Sequence, residues 1–285
     1  MSLTLADLMK IAYERNGVVT AYVYGEFGHG KTSYALWNAY YVLGSWSKIL
    51  NYLFFSPKEA VKIMGKAIDS GIRLPIIIMD DAGLWLDKLT WWEEDKIAFM
   101  QFFNLIRSVA AGVIFTTPSE ELPKQIVKKC FFRVSVSPAS KNKIVSLAGE
   151  EGYREVLSLT EKYGLEHVFS IATGYRLKTL PSFFSLVSKE FYDIYPLQYP
   201  IFQEYERKRR KALKQYFEKW RAKVEGSKAI NKDDIVSLVK ELIETGKNKT
   251  EIAKTLIKLG IPKTTAYRWI RRILKTEYPT LHSKA

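Results

Sequence analysis

The chain has 285 residues, 47% of them hydrophobic and 26% charged, which indicates a folded protein and weakly favours two domains. Its single cysteine, Cys130, excludes an internal disulfide framework and a cysteine-rich metal site. No apolar run approaches the roughly 18 residues that a membrane span needs, and acidic residues interrupt the apolar N-terminus, so we expect a cytoplasmic protein with no membrane partner.

The positive charge is concentrated in the last third of the chain. Residues 201–285 contain 22 Lys and Arg against 10 Asp and Glu, so they carry +12 of the formal net charge of +14. This asymmetry indicates a polyanion-binding module attached to a nearly neutral one. Solvated helix faces are the alternative explanation.

Strand-like and helix-like segments alternate over the first 139 residues. "VVTAYVY" predicts a buried strand, and residues 31–43 predict a helix after a glycine-rich turn. Further predicted strands are "NYLFF", "LPIIIMDD", "GVIFTTPS" and "FFRVSV"; the predicted helices between them are "SPKEAVKIMGKAIDSG", "DKIAFMQFFNLIRSVA" and "EELPKQIVKKC". This alternation predicts an α/β fold with a parallel sheet covered on both faces.

The middle of the chain has a different pattern. "GYREVLSLTEKYGL" favours a helix, whereas "HVFSIATGYRL" and "FFSLVSKEFYDIYP" alternate apolar and polar residues and favour strands. We therefore predict a first domain over residues 1–200, with a strand-containing extension at 141–200. A basic linker helix at 201–226 and an all-α domain at 227–285 follow.

The turn after the first strand matches the phosphate-loop pattern G-x-x-x-x-G-K-[ST]. Glycines let backbone N–H groups turn inward around phosphates, and the helix that follows directs its positive dipole end at the same anion. Lys31 would reach the β and γ phosphates and Thr32 would bind Mg²⁺. A chance glycine turn is the alternative. The residues expected to contact a nucleotide are Gly25, Gly28, His29, Gly30, Lys31, Thr32 and Ser33.

Two carboxylates end the strand "IIIMDD", at the edge of the sheet where ligands bind in open α/β folds. Asp80 is the natural partner of Mg²⁺, directly or through water. Asp81 is the candidate base that polarises an attacking water. Alternatively, Asp81 only caps the next segment.

Four further residues are candidates for phosphate chemistry. Thr117, with Thr116 as its alternative, ends the next strand and would project toward the γ-phosphate, unless these hydroxyls only satisfy the strand end. Phosphoryl transfer also benefits from a cation supplied by a neighbouring subunit, for which Arg107 and Arg133 are candidates. Each of these arginines is equally compatible with an ordinary surface position.

The C-terminal segment predicts three short helices in a helix-turn-helix arrangement, with Gly260 in the turn. Thr250 is expected to cap the second helix. The positions expected to be buried are Ile235, Leu238, Val239, Leu242, Ile252, Ala253, Leu256, Ile257, Ala266, Trp269, Ile270 and Ile273.

The third of these helices has the charge pattern of a DNA reader. With its apolar stripe turned inward, its outer face is basic, and its N-terminal end would reach base edges. A protein-docking three-helix module is the competing interpretation. The candidate DNA contacts are Lys263, Thr264, Thr265, Tyr267, Arg268, Arg271 and Arg272.

The motifs "GEFGHGKTS", "FFSPKEAVKIM", "IIIMDDAG" and "VIFTTPSEELPKQIVKK" resemble the P-loop ATPase core of replication initiators, helicase loaders and transposition-helper ATPases of the AAA+ group. With its tail, the chain resembles initiator-like ATPases encoded by viruses and plasmids of heat-loving archaea. The resemblance implies ATP and Mg²⁺ as ligands, and homo-oligomerisation. The strand-like stretches at 166–195 differ from that group's helical lid.

These patterns predict an ATP-dependent, DNA-binding ATPase that acts in replication initiation or a related DNA transaction of a mobile genetic element. Duplex DNA, further copies of the chain and a helicase or another replication protein would be its partners. A transcriptional regulator that uses ATP as a switch, or a motor that packages or transfers DNA, are the alternatives.

Overall fold

The computed structural model describes residues 2–86, 94–118, 122–180, 188–226, 232–258, 261 and 263–278. By its internal contacts the chain divides into two compact units, residues 1–212 and 213–285. This division falls inside the helix that the sequence assigns to a linker at 201–226. The first part of that helix therefore belongs to the first unit.

The first unit is built on a mixed sheet of seven strands, five of which are parallel. The order of the strands is β2-β3-β4-β1-β5-β6-β7. The bounds are β1 Val19–Tyr24, β2 Leu53–Phe54, β3 Ile77–Met79, β4 Gly112–Thr117, β5 Phe132–Ala139, β6 Phe169–Arg176 and β7 Glu190–Pro196.

Helices connect the parallel strands, as the alternation in the sequence predicts. They are α1 Thr4–Glu14, α2 Lys31–Leu43, α3 Trp46–Ile49, α4 Pro57–Asp69, α5 Ala82–Trp85, α6 Glu94–Asn104, α7 Ile106–Val109 and α8 Lys124–Val127, with a short 3₁₀ turn at Leu50–Tyr52. Ser56 caps α4: its hydroxyl accepts the N–H of Glu59 at 3.2 Å, and Pro57 begins the helix. A serine followed by a proline is a sequence signal for such a helix start.

The two faces of the sheet carry separate hydrophobic clusters. Along β1, Ala21 and Val23 belong to the cluster formed with α1 and α2, and Tyr22 to the cluster formed with α4 and α6. Side chains of a strand point alternately to opposite faces, so an all-apolar strand requires cover on both. Cys130 is one of the buried residues of the second cluster, where burial raises the pKa of its thiol to about 12.

The segment after β5 extends the sheet. α9 (Lys141–Tyr163), which contains a kink at Gly149, precedes β6 and β7, and both strands pair antiparallel with their neighbours. The strand character predicted for residues 166–195 is therefore confirmed over the part of this range that the structure describes. After α9, these two strands continue the sheet beyond the parallel core.

The long helix α10 (Phe202–Gly226) leads out of the first unit, and three further helices make up the core of the second. These are α11 Lys232–Glu244, α12 Lys249–Lys258 and α13 Lys263–Glu277. The predicted apolar positions meet in one cluster, except that Ile257 is 40% exposed. None of the described helices has the length and apolar character needed to span a membrane.

The N-terminus of α12 differs in detail from the prediction. The side chain of Asn248, not Thr250, accepts the N–H groups of Thr250 and Glu251, each at 3.0 Å. The carboxylate of Glu251 in turn accepts the N–H of Asn248 at 3.0 Å. This reciprocal capping box fixes the start of α12 two residues earlier than the threonine would. Gly260, predicted in the turn, lies outside the described residues.

Candidate nucleotide site

Three parallel strands deliver the candidate site to one edge of the sheet. β1 leads into the segment 25–30, called the glycine loop below, β3 ends immediately before Asp80, and β4 ends at Thr117. The strands are in register, with Tyr24 beside Thr117 and Met79 beside Phe115. Since β4 pairs with β1 on one side and β3 on the other, the loop and the carboxylates meet across the end of β4.

The backbone of the glycine loop favours glycine at positions 28 and 30. Gly28 has φ +81° and Gly30 φ +95°, both in the left-handed region. A Cβ on Gly30 would lie 2.8 Å from Cδ1 of Leu197, whereas a Cβ on Gly28 would meet no atom within 4 Å. The loop is therefore packed closely against the residue after β7 on one side and is open at Gly28.

Lys31, the first residue of α2, closes the loop onto itself. Its Nζ donates to the carbonyl oxygens of Gly25 and Glu26, both at 2.8 Å. The exposed ring of Phe27 lies 5.5 Å from the same Nζ. The ammonium group is thus held at the mouth of the loop by two carbonyl oxygens and lies near an aromatic face.

Asp80 is fully buried and accepts three hydroxyl hydrogen bonds. Thr32 and Thr116 donate to Oδ1 at 3.0 and 2.5 Å, and Tyr205 donates to Oδ2 at 2.7 Å. The hydroxyl of Thr116 also accepts the backbone N–H of Asp81 at 2.9 Å. The carboxylate therefore joins the loop helix, β3, β4 and α10 in one polar network.

Burial shapes the protonation of both charged groups beside the loop. Burial and the neighbouring Asp81 raise the pKa of the Asp80 carboxyl, although the three hydroxyl donors oppose this. Burial lowers the pKa of Lys31, while Asp81 and Asp80 act to raise it. A bound divalent cation would favour the charged form of Asp80, and a bound anion would favour the charged form of Lys31.

The oxygen donors beside the loop fit Mg²⁺. The hydroxyl of Thr32 and the carboxylate of Asp80 are hard ligands 3.0 Å apart, and Mg²⁺ commonly takes one or two protein oxygens together with substrate phosphates and water. Among the described residues no group of three or more His, Cys, Asp or Glu side chains could hold a metal ion alone. A metal at this position would therefore share its ligands with a bound phosphate.

Asp81 makes an ion pair that the sequence analysis missed. Its Oδ2 accepts Nε and Nη2 of Arg209, at 3.2 and 3.1 Å, and its side chain makes no helix-capping bond to α5. The backbone of Asp81 is left-handed, with φ +51°, a region that aspartate enters more readily than most residues. The carboxylate predicted to polarise water is thus neutralised by an arginine in this structure.

Both missed contacts come from α10. Tyr205 and Arg209 stand one helical turn apart and reach Asp80 and Asp81, which are adjacent in the chain. The sequence assigned this helix to a basic linker because of "RKRRK". A weak signal was the aromatic residue Tyr205 just before that basic run; in the structure it is 4% exposed.

Three predicted site residues have different contacts from those expected. Thr117 is fully buried, and its hydroxyl lies 2.9 Å from where a Cβ on Gly83 would be. The threonine that bonds to the carboxylate of Asp80 is Thr116. The hydroxyl of Ser33 donates to the carbonyl of Leu197 at 2.5 Å. The ring of His29 lies 3.5 Å from the Glu26 carboxylate and would pair with it when protonated.

The two arginines proposed to act on a neighbouring subunit are engaged elsewhere in this chain. Arg107, on α7 before the start of β4, donates to the carbonyl of Asn16 at 2.8 Å. Arg133 on β5 has its guanidinium 5.5 Å from the ring of Tyr175. Neither contact involves the carboxylate pair.

The predicted DNA contacts lie on α13. Ala266, Ile270 and Ile273 are buried against α11 and α12. The guanidinium of Arg272 lies 6.0 Å from the ring of Trp269, which packs on the same core. All the predicted contacts are exposed except Thr265, which is half-buried; the exposed ones are Lys263, Thr264, Tyr267, Arg268, Arg271 and Arg272.

Two curated relatives are encoded by viruses. The chain is 44% identical over 116 residues to the uncharacterized protein B-251 of Sulfolobus spindle-shape virus 1, a match that covers 38% of this chain and 46% of that protein. It is 29% identical over 150 residues to the uncharacterized protein ORF286 of Acidianus two-tailed virus, covering 50% and 52%. The chain therefore spans about half the length of the curated relatives it matches.

No protein-family model matches the chain. The crystal structure of the flagellar accessory protein FlaH from Methanocaldococcus jannaschii aligns with a TM-score of 0.34 and 16% sequence identity. That alignment covers 67% of this chain and 92% of FlaH.

Proposed function

We propose that this protein is a Mg²⁺-dependent ATPase that binds duplex DNA and serves replication initiation, or a related DNA transaction, of a mobile genetic element. The observation that carries the proposal is the meeting of Lys31 and the Thr32–Asp80 pair at the mouth of a glycine loop. Phosphate binding needs a cation, inward-facing backbone amides and an oxygen site for a metal at one place.

The triphosphate would be held by the loop and by Lys31. A bound anion offers Nζ stronger acceptors than the carbonyls of Gly25 and Glu26, because hydrogen bonds between charged partners are roughly twice as strong as neutral ones. The open side of the loop at Gly28 leaves space for the phosphates. The residues assigned to nucleotide binding are Gly25, Gly28, Gly30, Lys31 and Thr32, with His29 at the rim.

Thr32 and Asp80 would hold Mg²⁺. The ion neutralises charge that develops on the phosphates during transfer. Asp81 is the residue that would orient and polarise the attacking water, once its carboxylate is free of Arg209. Thr116, whose hydroxyl bridges Asp80 and the N–H of Asp81, would keep the two carboxylates in place.

The second unit would supply DNA binding as a helix-turn-helix module. Helices α11, α12 and α13 pack around one small core, and α13 presents an exposed basic face. The charge of +12 over residues 201–285 favours a polyanion over a neutral protein surface. The N-terminal end of α13 would enter the major groove, and Arg271 and Arg272 would contact phosphates.

The setting and the partners are proposed from the relatives and the site. Both curated relatives are viral proteins, which supports a role on a mobile genetic element. We propose that ATP binding controls the assembly of several copies on DNA. It would also control the binding of a helicase or another replication protein. The proposed location is the cytoplasm, where ATP and DNA meet.

The test compares wild type, Lys31→Ala and the surface control Lys62→Ala. Mg·ATP affinity is measured by calorimetry, and ATP turnover is measured with single-stranded and duplex DNA. We expect Lys31→Ala to weaken ATP binding by roughly 10- to 100-fold, since a hydrogen bond to a charged group contributes about 1.5–3 kcal/mol. Lys62→Ala should match wild type. Equal ATP binding by all three proteins would refute the nucleotide site.

The ion pair between Asp81 and Arg209 supports a second candidate function, a transcriptional regulator that uses ATP as a switch. A carboxylate paired with arginine polarises water poorly, so turnover would be slow while binding stays tight. Slow hydrolysis that is insensitive to Asp81→Asn, combined with recognition of one short duplex site, would select this function. Turnover that is stimulated by DNA and lost in Asp81→Asn would select the ATPase.

A further inference from the structure

Arg209 lies beside the carboxylate pair of the candidate site. Its guanidinium lies 3.1–3.2 Å from Asp81, the residue next to Asp80. Asp80 in turn accepts the hydroxyl of Thr32, the residue after Lys31, so the Asp81–Arg209 pair adjoins the glycine loop. The charge of Arg209 also acts, after burial, to lower the pKa of Lys31. Arg209 therefore lies within electrostatic reach of the proposed phosphate position.

The part of α10 around Arg209 is held in place by contacts of the neighbouring residues. One turn earlier in α10, Tyr205 donates to Asp80, and its ring packs on Phe55 at a centroid distance of 5.9 Å. The adjacent Lys208 donates to the carbonyls of Leu50 and Leu53, both at 2.5 Å. These contacts would keep the guanidinium of Arg209 at the site even when its ion pair with Asp81 is broken.

The ion pair is open to exchange. The side chains of Arg209 and Asp81 are 37% and 26% exposed, so solvent and a ligand can reach both. A triphosphate carries more negative charge than one carboxylate and matches the two-donor fork of a guanidinium. A phosphate bound beside Lys31 would therefore compete with Asp81 for Arg209.

We propose that Arg209 is a catalytic residue that this chain brings to the terminal phosphate of its own bound ATP. The guanidinium would exchange its ion pair with Asp81 for one with the γ-phosphate. This exchange would stabilise charge on the phosphoryl group and leave Asp81 free to orient water. ATP occupancy would thus change the contacts of α10, the helix that leads into the second unit. This assignment rests on the proposed nucleotide site.

The assignment differs from the one that the sequence favoured. The sequence made Arg107 and Arg133 candidates for a cation supplied by a neighbouring subunit, because a guanidinium fork suits a phosphate. In the described part of the chain, Nε of Arg107 donates to the carbonyl of Asn16, and the guanidinium of Arg133 lies over the ring of Tyr175. The cation is instead supplied within the same chain, by a residue 128 positions from the carboxylate it contacts.

The test uses the full chain with Arg209→Ala, Arg209→Lys and the control Arg210→Ala. Arg210 is the neighbouring residue, its side chain is 81% exposed, and its ion pair is a 3.8 Å contact to Glu206. Two quantities are measured: single-turnover ATP hydrolysis, and the ratio of affinities for a non-hydrolysable Mg·ATP analogue and Mg·ADP by calorimetry. Thermal unfolding followed by circular dichroism checks that each variant is folded.

For Arg209→Ala we expect hydrolysis to fall by roughly 10²- to 10³-fold, at or below the lower end of what an arginine at the transferred phosphate contributes. The preference for the ATP analogue over ADP should fall several-fold while ADP affinity is retained, because only ATP has the γ-phosphate. Arg209→Lys should be intermediate because it keeps the charge and loses the fork. Arg210→Ala should resemble wild type.

Each contrary result has a distinct meaning. Wild-type hydrolysis and selectivity in Arg209→Ala would overturn the assignment and leave the ATPase proposal standing. Equal losses of ADP and ATP affinity would show that Arg209 only supports the fold of the site, and would overturn it too. A wild-type protein that binds neither nucleotide would overturn the proposed function and the assignment together.

Discussion

The phenol of Tyr205 donates a 2.7 Å hydrogen bond to the buried carboxylate of Asp80, across 125 residues of chain. Asp80 ends a central parallel strand, and Tyr205 lies near the start of the helix that leaves the first unit. Burial and the charge of Asp80 raise the pKa of the Tyr205 hydroxyl, so it remains a donor at all physiological pH values. The contact ties α10 to the floor of the candidate site.

Tyr205→Phe should destabilise the unliganded protein by about 1–3 kcal/mol. The substitution leaves Oδ2 of Asp80 buried without its hydroxyl donor, and the cost of an unsatisfied buried group exceeds the net value of an ordinary hydrogen bond. Urea unfolding of the full chain measures the change. Tyr13→Phe, at a tyrosine that is 44% exposed, is the control and should change stability little. Equal midpoints for the two variants would contradict the role of this bond.

Asp80→Asn should stabilise the unliganded protein at neutral pH, by an amount that shrinks as the pH falls. The pKa of Asp80 is raised in the folded state, chiefly by burial, so folding favours the protonated carboxyl. Such a group stabilises the fold below its unfolded pKa of about 3.8, and this contribution is lost as the pH rises through the folded pKa. A neutral amide lacks that loss, and the surrounding hydroxyls can turn to suit it.

The measurement is the thermal midpoint of wild type and variant between pH 4 and pH 8, without nucleotide or divalent cations. The exposed Asp69 provides the control substitution Asp69→Asn. A midpoint difference for Asp80→Asn that is the same at every pH, or that grows toward acid, would contradict the assigned direction of the pKa.

Gly30→Ala should damage the loop far more than Gly28→Ala. Both residues have positive φ, so each substitution costs roughly 1 kcal/mol or more of backbone strain. Only at Gly30 would the new methyl group also meet a neighbour, Cδ1 of Leu197 at 2.8 Å. We expect a lower unfolding midpoint and weaker Mg·ATP binding for Gly30→Ala than for Gly28→Ala.

The double variant Gly30→Ala/Leu197→Ala separates the two causes. Removal of the leucine side chain relieves the collision but not the strain, so part of the lost stability should return after correction for Leu197→Ala alone. No recovery would mean that the steric contact with Leu197 does not limit this position.

The sequence predicted the elements of the site that depend on neighbours in the chain. The strand, the glycine pattern and the helix around Lys31 are contiguous. Local periodicity and the phosphate-loop pattern were therefore sufficient to predict them. Asp80 and Asp81 were found in the same way, because they end an apolar strand. Ser56 as the cap of α4 also follows from adjacent residues.

The parts that the sequence did not predict depend on distance in the chain or on small rotations. Tyr205 and Arg209 reach the carboxylates through the path of α10, and a run of basic residues has no feature that identifies an internal ion pair. Thr116 and Thr117 differ only in the face of β4 on which they lie. Ile257 lies at the edge of a helical stripe, where a small rotation decides between core and solvent.

The exposed basic face of α13 gives a prediction for DNA binding that is independent of ATP. If Arg268 contacts a phosphate, Arg268→Ala should reduce the slope of log affinity against log salt by about 0.9, the release of one counterion. A base contact would instead lower affinity for the preferred site by about 1–3 kcal/mol and leave non-specific binding nearly unchanged.

Binding of the full chain to a fixed duplex is measured by fluorescence anisotropy at several salt concentrations, with Lys62→Ala as the control. Because α13 already has its core face buried, the fold should tolerate this substitution. A slope and an affinity equal to those of the control would place the DNA surface elsewhere and support a protein-docking role for the three helices.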